Sequence, residues 1–212
     1  EGARSLMIAA VSTVVVFGAL ALIVVNAPGW ERVQESFLNP TWFWYALPDV
    51  VAKFWVNVRL FLIAEVLILF FGLVLAVLRS LPGQAFFPVR LIATIYVDVF
   101  RALPGLLVIF VLGFGIPALR IEGVPRDPFV FGVLALTLLY SAYVSEVYRA
   151  GIESVHPSQE AAARSLGLTR WQGLRYVVLP QAVRRVIPPL LNDFIGLQKD
   201  TVLVSSIGLV AK

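Results

Sequence analysis

Residues 156–180 read HPSQEAAARSLGLTRWQGLRYVVLP, a polar and basic stretch between segments apolar enough to lie in a bilayer. Its local chemistry predicts helix, tight turn, helix. Pro157 suits a first helical turn, where a missing N–H costs nothing, and Ser158 is available as a cap. Glu160 falls in the first turn, where a negative charge favours the helix dipole. Ala161, Ala162 and Ala163 are strong helix formers of minimal bulk, so a partner can approach closely. Gly167 supplies the left-handed position that ends a helix. Thr169-Arg-Trp-Gln172 has the spacing of a capping box that starts the second helix. That helix is expected to end by Pro180, because the residue before a proline is pushed out of helical geometry. Leu166, Leu168, Trp171 and Leu174 give the hairpin an apolar side, and Arg164, Arg170 and Arg175 make it basic.

Outward from this hairpin the chain is membrane-like. Of 212 residues, 59% are hydrophobic and 14% charged, against about 25% charged in soluble domains. With no cysteine, disulfides, thiolate metal sites and thiol catalysis are excluded. Apolar runs predict membrane spans at about 6–27, 56–78, 91–117, 128–148 and 186–210. Residues 30–55 mix Trp30, Trp42, Phe43, Trp44, Tyr45 and Trp55 with charged groups, the composition of an interfacial segment. The third span is interrupted at Pro104-Gly105, the place for a kink. The fifth begins near Val186 and meets Gln198-Lys-Asp-Thr201 after about 12 residues, short for a crossing. The chain starts with Glu rather than Met and stops beside an apolar stretch, so a further helix is expected beyond residue 212.

Lys and Arg placement orients the spans. With the N-terminus inside, the inner segments hold Arg4, Arg79, Arg90, Arg149, Arg164, Arg170, Arg175, Arg184 and Arg185. The outer ones hold only Arg32, Lys53, Arg120 and Arg126, with five acids among them. The positive-inside rule then places 157–180 in the cytoplasm.

Charges inside spans are costly and should face protein or water. Glu65, Asp98, Arg101, Asn192, Asp193 and Lys199 are therefore candidates for lining a translocation path. Asp98 with Arg101, and Glu146 with Arg149, are spaced i,i+3, so each can also be a neutralising pair that holds packing. Glu65 has no local partner and is open to a cross-helix pair or a cavity-lining role. His156, the lone histidine, reads as a loop residue rather than a metal ligand or base.

The hairpin resembles the EAA loop of permease subunits in ABC-type importers, specifically the polar amino-acid permease family. That pattern runs Glu-Ala-Ala, three residues, Gly, nine residues, an aliphatic, any residue, Leu, Pro. Here it maps onto Ala162-Ala163, Gly167 and Val177-Val-Leu-Pro180. Its acid falls at Ala161, with Glu160 one residue earlier. Asp98-Val-Phe-Arg101-Ala-Leu-Pro104, Glu146-Val-Tyr-Arg149-Ala-Gly151, Pro188-Pro-Leu-Leu-Asn192-Asp193-Phe-Ile and Lys199-Asp200-Thr201 resemble further family signatures in the same order. The resemblance implies an all-α, polytopic membrane helical bundle, the type I ABC importer permease fold with short cytoplasmic coupling helices, in one domain over 1–212. It also implies that Ser158, Glu160, Ala161, Ala162, Ala163, Arg164, Gly167, Thr169 and Trp171 dock a cytoplasmic ATP-binding subunit. The other implied partners are a second permease subunit, identical or sibling, an extracytoplasmic solute-binding protein and a polar amino acid, in a bacterial inner membrane.

The chain has no G-x-x-x-x-G-K-[ST] phosphate loop, no nucleophile–base constellation and no metal-ligand cluster. ATP and Mg are thus expected in the partner ATPase, with no catalytic residue and no cofactor here. Nucleic-acid binding is disfavoured because the hairpin is pinned between spans without a free recognition helix. Two alternatives stay open: an ion-coupled secondary transporter using Glu65, Asp98 or Asp193, and a membrane scaffold that only recruits a cytoplasmic partner.

Overall fold

The computed structural model describes residues 2–208. They divide into two compact units, one ending at Ala52 and the other beginning at Lys53. In the first, helix α1 (Gly2–Val25) is dominated by apolar residues from Leu6 onward and buries none of its residues. Gly29, at φ +103°, turns the chain into α2 (Trp30–Phe37). This short helix sets Trp30, Val33 and Phe37 on one side and charged groups on the other, as an interfacial segment requires. Helix α3 (Pro40–Ser80) then runs unbroken for 41 residues through Pro48. The aromatic residues 42–55, expected to lie apart from the second span, are thus its continuation.

In the second unit α3 ends at Ser80, and Gly83 turns the chain at φ +87°. Arg90 holds this turn, donating to the carbonyls of Leu81 and Gly83, both at 2.7 Å. Helix α4 (Phe87–Ala102) follows a 3₁₀ turn, and α5 (Gly105–Phe110) continues through Val111–Gly115 into the helical turn α6 (Ile116–Ala118). Between the arms 84–102 and 105–118 the axis bends by 104°. Leu103, forced out of helical geometry by Pro104, is extended at ψ 138° and makes the break. The expected third span is therefore two arms rather than one kinked rod.

Helix α7 (Pro128–Glu153) is started by Asp127, whose side chain accepts from the Phe129 N–H at 2.9 Å. It is the centre of the unit. Leu136, Leu139 and Val144 pack with Leu60, Ala64 and Ile68 of α3 and Val108 and Ile109 of α5. Glycines let the helices close up, as in membrane bundles that lack a hydrophobic drive between helices. A Cβ on Gly72 would stand 2.7 Å from the Val144 side chain; one on Gly132 would strike Val204, and one on Gly151 would strike Val186.

Helices α8 (Pro157–Ser165) and α9 (Arg170–Gly173) form the predicted hairpin, and α10 (Leu179–Asp200) packs back along α7 before tightening into 3₁₀ at Thr201–Ile207. Two expectations fail here. Pro180 does not end a helix: Leu179 is helical at φ −61°, ψ −43°, and the chain passes through a π-turn at Leu174–Val178 straight into α10. Pro117 is likewise preceded by a π-turn, at Val111–Gly115. In each case the carbonyl four residues before the proline belongs to the middle of the π-turn, Gly113 or Tyr176. The wider i→i+5 register removes the bond that proline cannot complete and the clash its ring would make. Nor does α10 break at Gln198; it starts seven residues before the expected Val186 and runs through Asp200. Only α1, the α2–α3 run and α7 are long and apolar enough alone to cross a bilayer among the described residues. Residues 209 and 210 of the expected fifth span lie outside them.

The packing at Gly151 is testable. Gly151→Val should lower stability by about 1–3 kcal/mol through overpacking against Val186. The thermal midpoint in detergent should fall, whereas Gly18→Val in α1, where nothing stands within 4 Å, should leave it unchanged.

Candidate functional site

The hairpin is stiffened at each joint by its own sequence. His156, not Ser158, caps α8: its Nδ1 accepts from the Ser158 N–H at 3.2 Å, and the Ser158 hydroxyl lies 2.8 Å from the same atom. At the other end Gly167 adopts φ +81°. The Leu168 N–H reaches the Ala163 carbonyl at 3.1 Å and the Gly167 N–H the Arg164 carbonyl at 2.9 Å. This is a Schellman pair, which satisfies the carbonyls the helix leaves open. The capping box forms as read: the Thr169 N–H donates to Gln172 Oε1 at 2.8 Å and the Gln172 N–H to Thr169 Oγ1 at 3.3 Å.

Ala163 is buried, packed where Gly173 leaves room for it, so it closes the hairpin instead of facing outward. Ser158, Ala161, Ala162, Arg164, Gly167, Thr169 and Trp171 are exposed, and Glu160 is half-buried. Leu166 and Trp171 stand open, with 83% and 66% of their surface exposed, while Leu168 is half-buried. At the base lies a cavity of about 350 Å³ lined by Glu153, His156, Glu160, Arg170, Leu174 and Val178. Gln181 of α10 holds Gln159 of α8 at 3.2 Å, and Arg185 donates to the Ser154 carbonyl at the end of α7.

Just above the hairpin, Glu146 collects three arginines. Arg79 of α3 approaches Oε1 at 2.5 Å, Arg149 reaches Oε2 at 2.8 Å, and Arg101 of α4 stands 3.7 Å from Oε1. Arg149 also bonds Glu153 at 2.6 Å. The i,i+3 pair Glu146–Arg149 thus exists, but the expected Asp98–Arg101 pair does not. Asp98 is exposed and Arg101 turns to α7, because Glu146 offers a more sheltered carboxylate. Arg79 was not found from sequence: its partner is 67 residues away, and a lone arginine at a span end reads as a topology signal.

A second cluster lies between α3, α7 and α10. Glu65 lies within electrostatic reach of Asp193 and of Tyr148. Tyr140 donates to Asp200 Oδ2 at 2.8 Å and approaches α10 over Gly196. Asp193 Oδ2 and Asn57 Oδ1 are buried without a hydrogen-bond partner, and Asn57 lines a cavity of about 190 Å³ with Gln198 and Thr201. Among the described residues neither Glu65 nor Asp193 forms an ion pair. Of the sequence candidates, Glu65 and Asp193 come together here. Asn192 and Lys199 lie on exposed faces of α10, and Asp98 and Arg101 are on α4. Tyr140 and Tyr148 were missed because tyrosine counts as apolar in a span, and its hydroxyl shows its role only when a partner is placed.

Comparison with known proteins gives this geometry a context. Residues 68–211 match the family described as binding-protein-dependent transport system inner membrane component. The chain is 36% identical over 195 residues to the L-cystine transport system permease protein TcyB of Bacillus subtilis (strain 168), covering 91% of this chain and 75% of that one. It is 42% identical over 140 residues to the probable glutamine ABC transporter permease protein GlnM of the same organism, covering 66% of this chain and 61% of the relative's length. A solved structure, an amino acid ABC transporter crystallised with histidines, superposes with a TM-score of 0.72 at 32% identity over 81% of this chain and 78% of the other.

The capping box yields a local prediction. Thr169→Ala should weaken the second hairpin helix by about 1 kcal/mol. Amide hydrogen exchange should quicken at residues 170–173 and stay unchanged in α7.

Proposed function

Because the chain belongs to the family of binding-protein-dependent transport system inner membrane components, we propose that it is the membrane-spanning subunit of an ATP-driven amino-acid importer. The observation that carries this reading is the hairpin. It is rigidly capped at every joint and turns Leu166 and Trp171 outward, in a chain that lacks a phosphate loop of its own. A protein that cannot bind ATP by that route needs a firm handle for one that can.

The hairpin sits in the cytoplasm, on the positive-inside count, and Ser158, Glu160, Ala161, Ala162, Arg164, Gly167, Thr169 and Trp171 dock the ATPase, which holds ATP and Mg. Glu160, at the base cavity, serves in place of the acid the family pattern has at Ala161. A second permease subunit completes the pathway, and an extracytoplasmic solute-binding protein delivers the solute. Transport follows alternating access: the ATPase binds the two membrane conformations with different affinity and so shifts their populations. In the membrane, Glu65 and Asp193 line the path. Two acids within electrostatic reach of each other and without an ion pair cost about 2.5–3.5 kcal/mol each on insertion scales; the ammonium group of a passing amino acid offsets that.

The test is uptake by proteoliposomes holding the permease with the ATPase and binding protein encoded beside it, using L-glutamine and L-cystine as probes. ATP on the hairpin side should drive accumulation that survives an uncoupler. Gly167→Pro should abolish both accumulation and ATPase copurification while the protein still inserts. Accumulation that collapses with the uncoupler and persists without ATP would instead establish ion coupling.

A further inference from the structure

The cluster around Glu146 holds more positive charge than neutrality requires. Arg79, only 11% exposed, and Arg149 already satisfy its two oxygens at 2.5 and 2.8 Å. Glu153 takes a second share of Arg149, at 2.6 Å. Arg101 is therefore a third arginine against two acids. Its contact is the longest, 3.7 Å, and its side chain is 43% exposed. A long, solvated ion pair is weak and opens with a small displacement, whereas short sheltered ones hold.

Arg101 is also placed where such a contact matters. It lies two residues before Leu103, the residue at which the chain bends by 104°. The end of α4 touches α7 in two further ways: the Tyr143 hydroxyl donates to the Arg101 carbonyl at 3.3 Å, and the guanidinium sits 5.8 Å above the Tyr143 ring. At its other end the cluster runs Glu146, Arg149, Glu153, and Ser154 then takes the bond from Arg185 two residues before the His156 cap of the hairpin.

We propose that Glu146 is a positioning residue for energy coupling: it carries movement of the hairpin to the α4–α5 bend through a releasable ion pair with Arg101, while Arg79 and Arg149 keep the carboxylate fixed. This rests on the reading of the hairpin as the ATPase handle. Displacing the hairpin moves the end of α7 and shifts Glu146 against α4. Arg101 then follows or lets go, and the arm beyond Pro104 reorients with it. Static neutralisation would need only the two short bonds.

The experiment uses the absence of native cysteine. Spin labels at Asp98→Cys on α4 and Ile152→Cys on α7, both exposed positions, report the α4–α7 distance in the reconstituted complex. Solute moved per ATP is measured with L-glutamine and L-cystine as probes. Arg101→Gln leaves the short pairs intact, so folding is not at stake. It should broaden the distance distribution and lower solute per ATP about fivefold or more, the lower end of usual allosteric couplings, with ATPase copurification retained. Arg101→Lys, which keeps the charge, should restore both. An unchanged distance distribution and unchanged solute per ATP in Arg101→Gln would overturn the proposal, as would equal losses in the Lys and Gln variants. If the parent complex accumulates neither probe under ATP, the importer reading fails separately, and the distance distributions alone decide the ion-pair tie: broadening in Arg101→Gln with recovery in Arg101→Lys supports it, and no broadening overturns it.

Discussion

A carboxylate at the sheltered end of a membrane helix must be neutralised, and the way Glu146 is neutralised organises one end of this protein. Its two oxygens bring Arg79 and Arg149 to short range and Arg101 within 4 Å, joining three helices at one point. Removing one partner of such a sheltered pair costs about 3–5 kcal/mol, because it strands a charge. Helices α3 and α7 are thereby fixed in register where the hairpin leaves the bundle, and the end of α4 is brought beside them. Elsewhere small residues set the contacts of α7: Gly72 of α3 against Val144, Gly132 against Val204 of the 3₁₀ segment and Gly151 against Val186 of α10. Close packing sets the spacing of the bundle, and the ion cluster ties its hairpin end to the bend in the chain.

Prolines shape the rest by two routes. At Pro104 the preceding residue goes extended and the axis turns through 104°. At Pro117 and Pro180 a π-turn absorbs the missing bond and the helix continues. The second device makes the hairpin a continuation of α10 instead of a loop hung beside it. Force on residues 157–173 therefore passes into α10 through a helical backbone and the Gln181–Gln159 contact, and from α10 into the end of α7 through the Arg185–Ser154 bond.

What was legible in the sequence was local. Gly167 and the Thr169–Gln172 box were readable because turn and cap chemistry depends on neighbours a few residues apart. The membrane character of α1, α3 and α7 was readable from composition. The π-turn before Pro180 was not, because the local rule disfavours helix at Leu179 and only the packed helix overrides it. The partners of Arg79, Arg101 and Glu65 were not readable either, since each belongs to another helix. The i,i+3 rule named Glu146–Arg149 correctly and misassigned Arg101 to Asp98, because it cannot weigh an exposed acid nearby against a sheltered one across an interface. The acidic pair Glu65–Asp193 was visible as two costly residues and became a site only when α3 and α10 met.

We propose above that the hairpin is a cytoplasmic handle gripped by an ATPase. The chain contains no cysteine, so Leu166→Cys places one thiol on the hairpin's exposed apolar side. The decisive measurement is its labelling by a membrane-impermeant maleimide in vesicles of known orientation, with and without the ATP-binding subunit. A cytoplasmic handle should label rapidly from the cytoplasmic side alone and be protected when the subunit is bound. Labelling from the opposite side, or labelling that the subunit leaves untouched, would contradict it.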